Sequence, residues 1–285
     1  MILVDDVSNG YRHIILPLAV EDPMVRRAVC VASAFHMSVQ RPDLKLPAES
    51  GRAAIITKLT NMAAGGDPLS LSTWATIILL LVGELVNGSD DILTLYQLLL
   101  SFLRAKGQLD DRSTIASFLH QQTDLLEFFA SPVIDEAEGA QKLLQAFSPA
   151  HVEESWPNSI TLAREIYSEA YQQACDIYIL RASSQFIDLT DEQSIRLVTR
   201  LRDLLINVEP GTAGAHTLVW PYFVAAAEAL LPEHRDFFRQ RLEHLWITTR
   251  YRNVKVAIDA LPRIWAQRGN QRWTKMLREV ATVIM

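Results

Sequence analysis

Apolar residues recur at steps of three and four along nearly the whole chain, and that spacing dictates helices. Val25, Val29, Ala32, His36 and Val39 share one face of one segment, Leu197, Leu201, Leu204 and Val208 a face of a second, and Val254, Ile258, Leu261 and Trp265 a face of a third. The alternation of a half-buried strand is nearly absent. Asn87-Gly88 closes an apolar helical run, so it is expected as a helix C-cap and not as a hairpin turn. The fold class is therefore all-α. No fixed-length repeat is present, so the expectation is a single large, non-repeat domain of about 10–12 helices over 1–285. A chain of 285 residues is long enough to bury a sizeable core.

Local chemistry predicts where the helices begin and end. Asp22-Pro23 supplies an N-cap followed by proline at the first helical position, after a short apolar helix at 11–20 that Pro17 interrupts. A helix over about 48–64 stops at Gly65-Gly66. Ser70 or Ser72 starts the next, whose Ile77–Val82 run is apolar all round and so belongs at the centre of a core. Asp90-Asp91 places acidic charge at the start of a further helix. The helix holding Phe118 and Phe129 is expected to stop at Ser131-Pro132. Around 133–158 the pattern weakens to a looser connection with one short helix near 140–147. Thr190 to Gln193 forms a near capping box. Pro221 is expected to kink a helix over about 213–231.

Composition removes several classes of function. Net charge is −6, whereas a nucleic-acid-binding domain normally carries a basic excess, so no direct DNA contact is expected from these residues. Cys30 and Cys175 are expected as buried free thiols of a reducing compartment, and two cysteines cannot build a zinc cluster. The N-terminus has no secretory pattern, and Trp74–Val82, closed by Glu84, is too short to span a membrane. There is no His-Glu-x-x-His pair, Gly-rich phosphate loop or Gly-x-Ser-x-Gly elbow. The aspartate-rich metal motif of terpene cyclases is incomplete at Asp90-Asp91 and Asp110-Asp111. Asp188 to Glu192 has the context of a helix cap, and Ser159 stands where the second triad needs an aspartate. No metal site and no cofactor are called for. His234 and His244 sit on charged faces and are expected in solvent.

Polar residues within apolar runs remain. His36, Tyr222 and Glu228 are the candidate catalytic groups, and Trp74, Glu84, Trp220 and Tyr222 the candidate ligand-binding groups. A buried carboxylate is either paired or protonated, so Glu84 and Glu228 are expected to pair with arginines such as Arg26 or Arg235. The competing reading of Trp74, Trp220 and Tyr222 is simple core, and of His36 a core histidine. Together these side chains suit a mostly apolar pocket with a few polar handles.

Seven stretches, in order, carry a family resemblance: Tyr11–Ala19, Val29–His36, Thr73–Gly88, Ala163–Tyr167, Trp220–Glu228, His234–Phe238 and Ala257–Trp265. Over about 11–273 the chain resembles the fungal-specific transcription factor domain, the helical regulatory region usually found downstream of a Zn2Cys6 cluster. The resemblance implies an α-helical nuclear regulator, often dimeric, that in some cases senses a hydrophobic small molecule. The chain departs from the family pattern in carrying no six-cysteine cluster and no basic linker of its own.

Two functions of different class follow. One is a regulatory, effector-sensing domain acting in the nucleus through a small molecule and a protein partner or homodimer. The other is a cytoplasmic, cofactor-independent biosynthetic enzyme, a cyclase or cycloaddition catalyst for a terpenoid or polyketide intermediate. A ligand-dependent scaffold is a third reading.

Overall fold

Capping residues and prolines cut the chain into helices largely where the spacing predicts. The computed structural model describes residues 9–65, 70–89, 91–105, 113–146, 161–183, 190–212, 214–280 and 284. Asp90, Asp110-Asp111, Asp188, Ser159 and residues 147–158 of the expected looser connection lie outside these residues. Among the described residues there are thirteen α-helices and no strand. They are α1 (Leu16–Glu21), α2 (Pro23–Met37), α3 (Lys45–Gly65), α4 (Leu71–Asn87), α5 (Ile92–Ala105), α6 (Thr114–Ile134), α7 (Glu136–Ala146), α8 (Thr161–Ala182), α9 (Asp191–Leu205), α10 (Val219–Glu228), α11 (Pro232–Thr249), α12 (Arg252–Ala266) and α13 (Trp273–Val280). None of the described helices is long and apolar enough to cross a membrane. The chain groups into two units, one of residues 7–126 and one of 127–285 with 1–6, the boundary falling within α6.

In the unit of 7–126, α2 packs on α1, α3 and α4, and α4 also packs on α5. The Asp22 carboxylate accepts the backbone N–H groups of Met24 and Val25 at 2.7 and 3.1 Å and so caps α2. Ser70 caps α4 by accepting the Thr73 N–H at 3.1 Å. Gly88 ends α4 at φ 64°, ψ 37°, a left-handed conformation that favours glycine. Every residue of α4 from Thr73 to Val86 is buried, as an all-round apolar helix requires.

The face of α2 differs from the expected one. Met24, Val25, Ala28, Val31 and Phe35 are buried, whereas His36 and Cys30 are exposed. Successive residues lie about 100° apart around a helix. Burying the bulky Phe35 turns its neighbour His36 outward, and the same rotation exposes Cys30.

In the unit of 127–285, α10 packs on α8, α9, α11 and α12, and all ten of its residues are buried. α8 also meets α7, α9 and α13, and α12 meets α11 and α13. α10 begins later than expected. The chain tightens through a 3-10 turn over Ala215–Leu218, and Pro221 falls in the first turn of α10, where a helix has no N–H partner to lose. The expected interruption at Pro221 is thus an ordinary helix start.

Pro132 was likewise expected to end a helix, yet α6 continues to Ile134. The Ser131 hydroxyl donates to the Glu127 carbonyl at 2.8 Å, and the Pro132 carbonyl accepts from the Tyr178 hydroxyl at 3.3 Å. The break comes at Asp135, whose carboxylate accepts the N–H groups of Ala137 and Glu138, both at 2.9 Å, and caps α7. α7 lies so close to the end of α6 that a Cβ at Gly139 would stand 2.6 Å from Pro132 Cα. His234, expected in solvent, is buried instead, because α11 packs on α9 and brings it to Thr199, with Nε2 and Oγ1 3.5 Å apart.

Candidate functional site

α10, buried along its whole length, carries a carboxylate into the interior of its unit. Glu228, its last residue, is fully buried. Arg181, at the end of α8, reaches both carboxylate oxygens: Nε donates to Oε2 at 2.9 Å and Nη2 donates to Oε1. Arg181 Nη2 also donates to the Ser194 hydroxyl of α9 at 3.1 Å. The Trp273 indole N–H, at the start of α13, donates to Oε2 at 2.8 Å. Burial pushes the Glu228 carboxyl up, but hydrogen bonding and charge from Arg181, with Ser194 and Trp273 adding, bring it below the ordinary carboxylate value. Glu228 is therefore ionised and held from three helices.

The end of α10 is finished by other side chains. Its last carbonyls have no intrahelical donors. Trp265 donates its indole N–H to the Ala226 carbonyl at 2.8 Å, Arg268 Nη1 to the Glu228 carbonyl at 2.7 Å, and Arg235 Nε to the Ala229 carbonyl at 3.0 Å. Two of the three donors are cations, which also suit the negative end of the helix dipole.

Beside this cluster opens a cleft of about 330 Å³ lined by Arg181, Ala227, Ile264, Arg268, Gly269, Asn270, Gln271, Arg272 and Trp273. Arg272 is paired with Glu136 of α7 through Nε at 3.1 Å and Nη2 at 2.6 Å, and the Thr274 hydroxyl donates to the same carboxylate. Arg268 Nη2 is 3.4 Å from Glu228 Oε1 and 4.0 Å from the exposed Asp191. Trp273 forms the inner wall, packed edge-on against Tyr178 and Phe223 with ring centroids 5.8 and 6.3 Å away.

Among the residues singled out in the sequence, Trp220, Tyr222 and Glu228 share α10. The Trp220 ring lies between those of Phe129 and Tyr178, at 6.2 and 6.0 Å. Burial pushes the neighbouring Cys175 thiol well above its ordinary range, and Asp176 adds to this while the Trp220 N–H opposes it. Tyr222 packs on Phe238 at 6.3 Å, and burial pushes its hydroxyl up to about 12, with Arg241 pulling the other way. Neither aromatic lines the cleft.

The other candidates belong to the unit of 7–126. Trp74 is fully buried, donates to the Thr123 hydroxyl at 3.1 Å and meets the His120 ring edge-on at 4.6 Å. Glu84 pairs with Arg52 of α3 at 2.6 Å, and the same Arg52 Nη1 reaches the half-turned-out Asp91 at 3.0 Å. His36 stands on the exposed face of α2.

Both buried carboxylates are paired with arginine, as expected, but Arg52 and Arg181 take the places proposed for Arg26 and Arg235. Arg26 is exposed on α2, and Arg235 is engaged with the Ala229 carbonyl and the Trp265 ring. The cleft residues Arg181, Arg268, Arg272 and Trp273 had no sequence motif. The available signal was the polar turn Arg268-Gly269-Asn270-Gln271-Arg272 set between two amphipathic helices.

The family model for the fungal specific transcription factor domain matches residues 1–136 and 130–284. No curated protein sequence and no solved structure shows significant similarity to the chain.

Proposed function

We infer that this chain, which belongs to the fungal specific transcription factor domain family, is a regulatory domain that acts in the nucleus through a bound effector and protein contacts, and not through DNA contacts of its own. The observation that carries this reading is the match of the family model to both 1–136 and 130–284. The net charge of −6 agrees with it, since phosphate-backbone binding asks for a basic face. The polar cleft at the end of α10 supplies a place for an effector beside a buried, ionised cluster whose helices differ in sequence position but meet at Glu228.

In the reading as a cofactor-independent cyclase, Glu228 is one of the groups, with His36 and Tyr222, that would polarise a substrate. Its carboxylate is instead engaged by Arg181 and Trp273, which favours the regulatory reading.

The test is a fusion of residues 1–285 to an unrelated DNA-binding domain, with a reporter carrying that domain's site. Reporter output that differs from the DNA-binding domain alone, and that responds to a metabolite extract of a fungal culture, is expected. Output equal to the DNA-binding domain alone with and without extract overturns the reading.

A further inference from the structure

We propose that the cleft formed by Arg181, Arg268 and Arg272 binds the carboxylate of a small organic acid, with Arg268 as the recognising group. The proposal deepens the regulatory reading by naming the effector's chemistry and its site.

Charge is the first argument. Three guanidinium groups line the cleft beside the fully buried Glu228 and the partly buried Glu136, so the cleft wall is rich in cations. The third acid nearby, Asp191, is 83% exposed and 4.0 Å away, so solvent screens it.

Donor geometry is the second. Arg181 and Arg272 each grip their own carboxylate through Nε and Nη2. Arg268 places Nη1 on the Glu228 carbonyl and makes only a long 3.4 Å contact from Nη2 to the Glu228 side chain. A guanidinium has five N–H donors in a planar fork, so Arg268 keeps donors for a planar oxyanion, and a carboxylate matches that fork in two parallel bonds. Burial, and then repulsion from Arg181, push Arg268 below its ordinary value despite the nearby acids. An incoming anion relieves that penalty.

Shape is the third argument. A volume of about 330 Å³ suits a small ligand. Asn270 and Gln271 are exposed on the turn at its rim, where their amides can hydrogen-bond substituents of the acid.

The purified full chain is titrated with sodium acetate, sodium benzoate, inorganic phosphate and sodium chloride at matched ionic strength, by isothermal titration calorimetry. Saturable binding of a carboxylate above the chloride baseline is expected, weakened about tenfold or more in Arg268→Gln, which loses a charge-assisted bond. Because Arg268 also finishes α10, Gln271→Glu on the exposed rim provides a second variant. It is expected to weaken carboxylate binding while leaving the melting temperature unchanged. Acetate and benzoate binding no stronger than chloride, or equal affinity in wild type and both variants, overturns the site. Preferential phosphate binding overturns the carboxylate assignment. Failed carboxylate binding with an intact reporter response removes the site alone, and carboxylate binding without any reporter response removes the regulatory reading alone.

Discussion

Two carboxylates, Glu84 on α4 and Glu228 on α10, are fully buried in the two units of the molecule, and their surroundings differ. Each follows a long apolar run, and each pairs with an arginine. Glu84 has one cation, Arg52, which it shares with the exposed Asp91. Its Oε2 and Arg52 Nε are buried without a hydrogen-bond partner. Glu228 has both oxygens filled, by Arg181 and Trp273, with Arg268 close to the first and bonded to its carbonyl. A buried charge pair is favourable only when its remaining lone pairs and protons are satisfied. By that criterion the α4 pair completes a core, whereas the Glu228 cluster holds α8, α9, α10 and α13 in register beside an open cleft.

The largest effect expected of this difference is on Glu228. Glu228→Gln leaves Arg181 and Arg268 without their buried counter-charge and is expected to cost about 3–5 kcal/mol in a urea titration. Glu84→Gln removes a pair already half satisfied and is expected to cost about 1–3 kcal/mol. Equal losses would break the comparison.

Acid separates Glu228 further. Its folded carboxyl lies below the ordinary 4.5, so its contribution is fully present above pH 4.5 and is lost as pH falls through the lowered folded value. The stability gap between wild type and Glu228→Gln should therefore narrow on acidification below pH 4.5. A gap that widens there means that the carboxylate is not held by cations in the fold.

The smallest effects concern how the two helices end. α4 is finished by its own chain, through Ser70 and Gly88, whereas the end of α10 and the following Ala229 carbonyl take donors from Trp265, Arg268 and Arg235 besides the Ala229 N–H. Ser70→Ala is expected to cost about 1 kcal/mol. Trp265→Phe, which keeps a six-membered aromatic ring and deletes the N–H donor, should cost about 0.5–1.5 kcal/mol. Thermal melts of both variants check this, and a neutral Trp265→Phe would show that the Ala229 N–H, 3.3 Å from the Ala226 carbonyl, satisfies that carbonyl without the indole.

Signals confined to a few neighbouring residues were the legible ones. The Asp22 cap, the Thr190 capping box and the left-handed Gly88 stand where their local chemistry places them. The misplacements share one origin in packing. His36 and Phe35 compete for the same side of α2, and side-chain volume at the α2–α4 contact decides in favour of Phe35. His234 looks solvated among Glu233, Arg235 and Asp236, yet α9 covers it. Pro132 looks like a stop signal, but Ser131 and Tyr178 supply partners around it.

By itself the sequence determined the all-α class, most helix ends and the requirement that Glu84 and Glu228 find cations, because these follow from backbone hydrogen bonding and from the cost of burying a charge. Which arginine answers each carboxylate was decided only in the tertiary structure. Arg181, Arg268, Trp273 and Glu228 lie as much as 92 residues apart, from 181 to 273, and only the packing of α8, α12 and α13 around α10 brings them within hydrogen-bond reach. Pairing at that separation depends on where helices cross, and no periodicity along one segment encodes it.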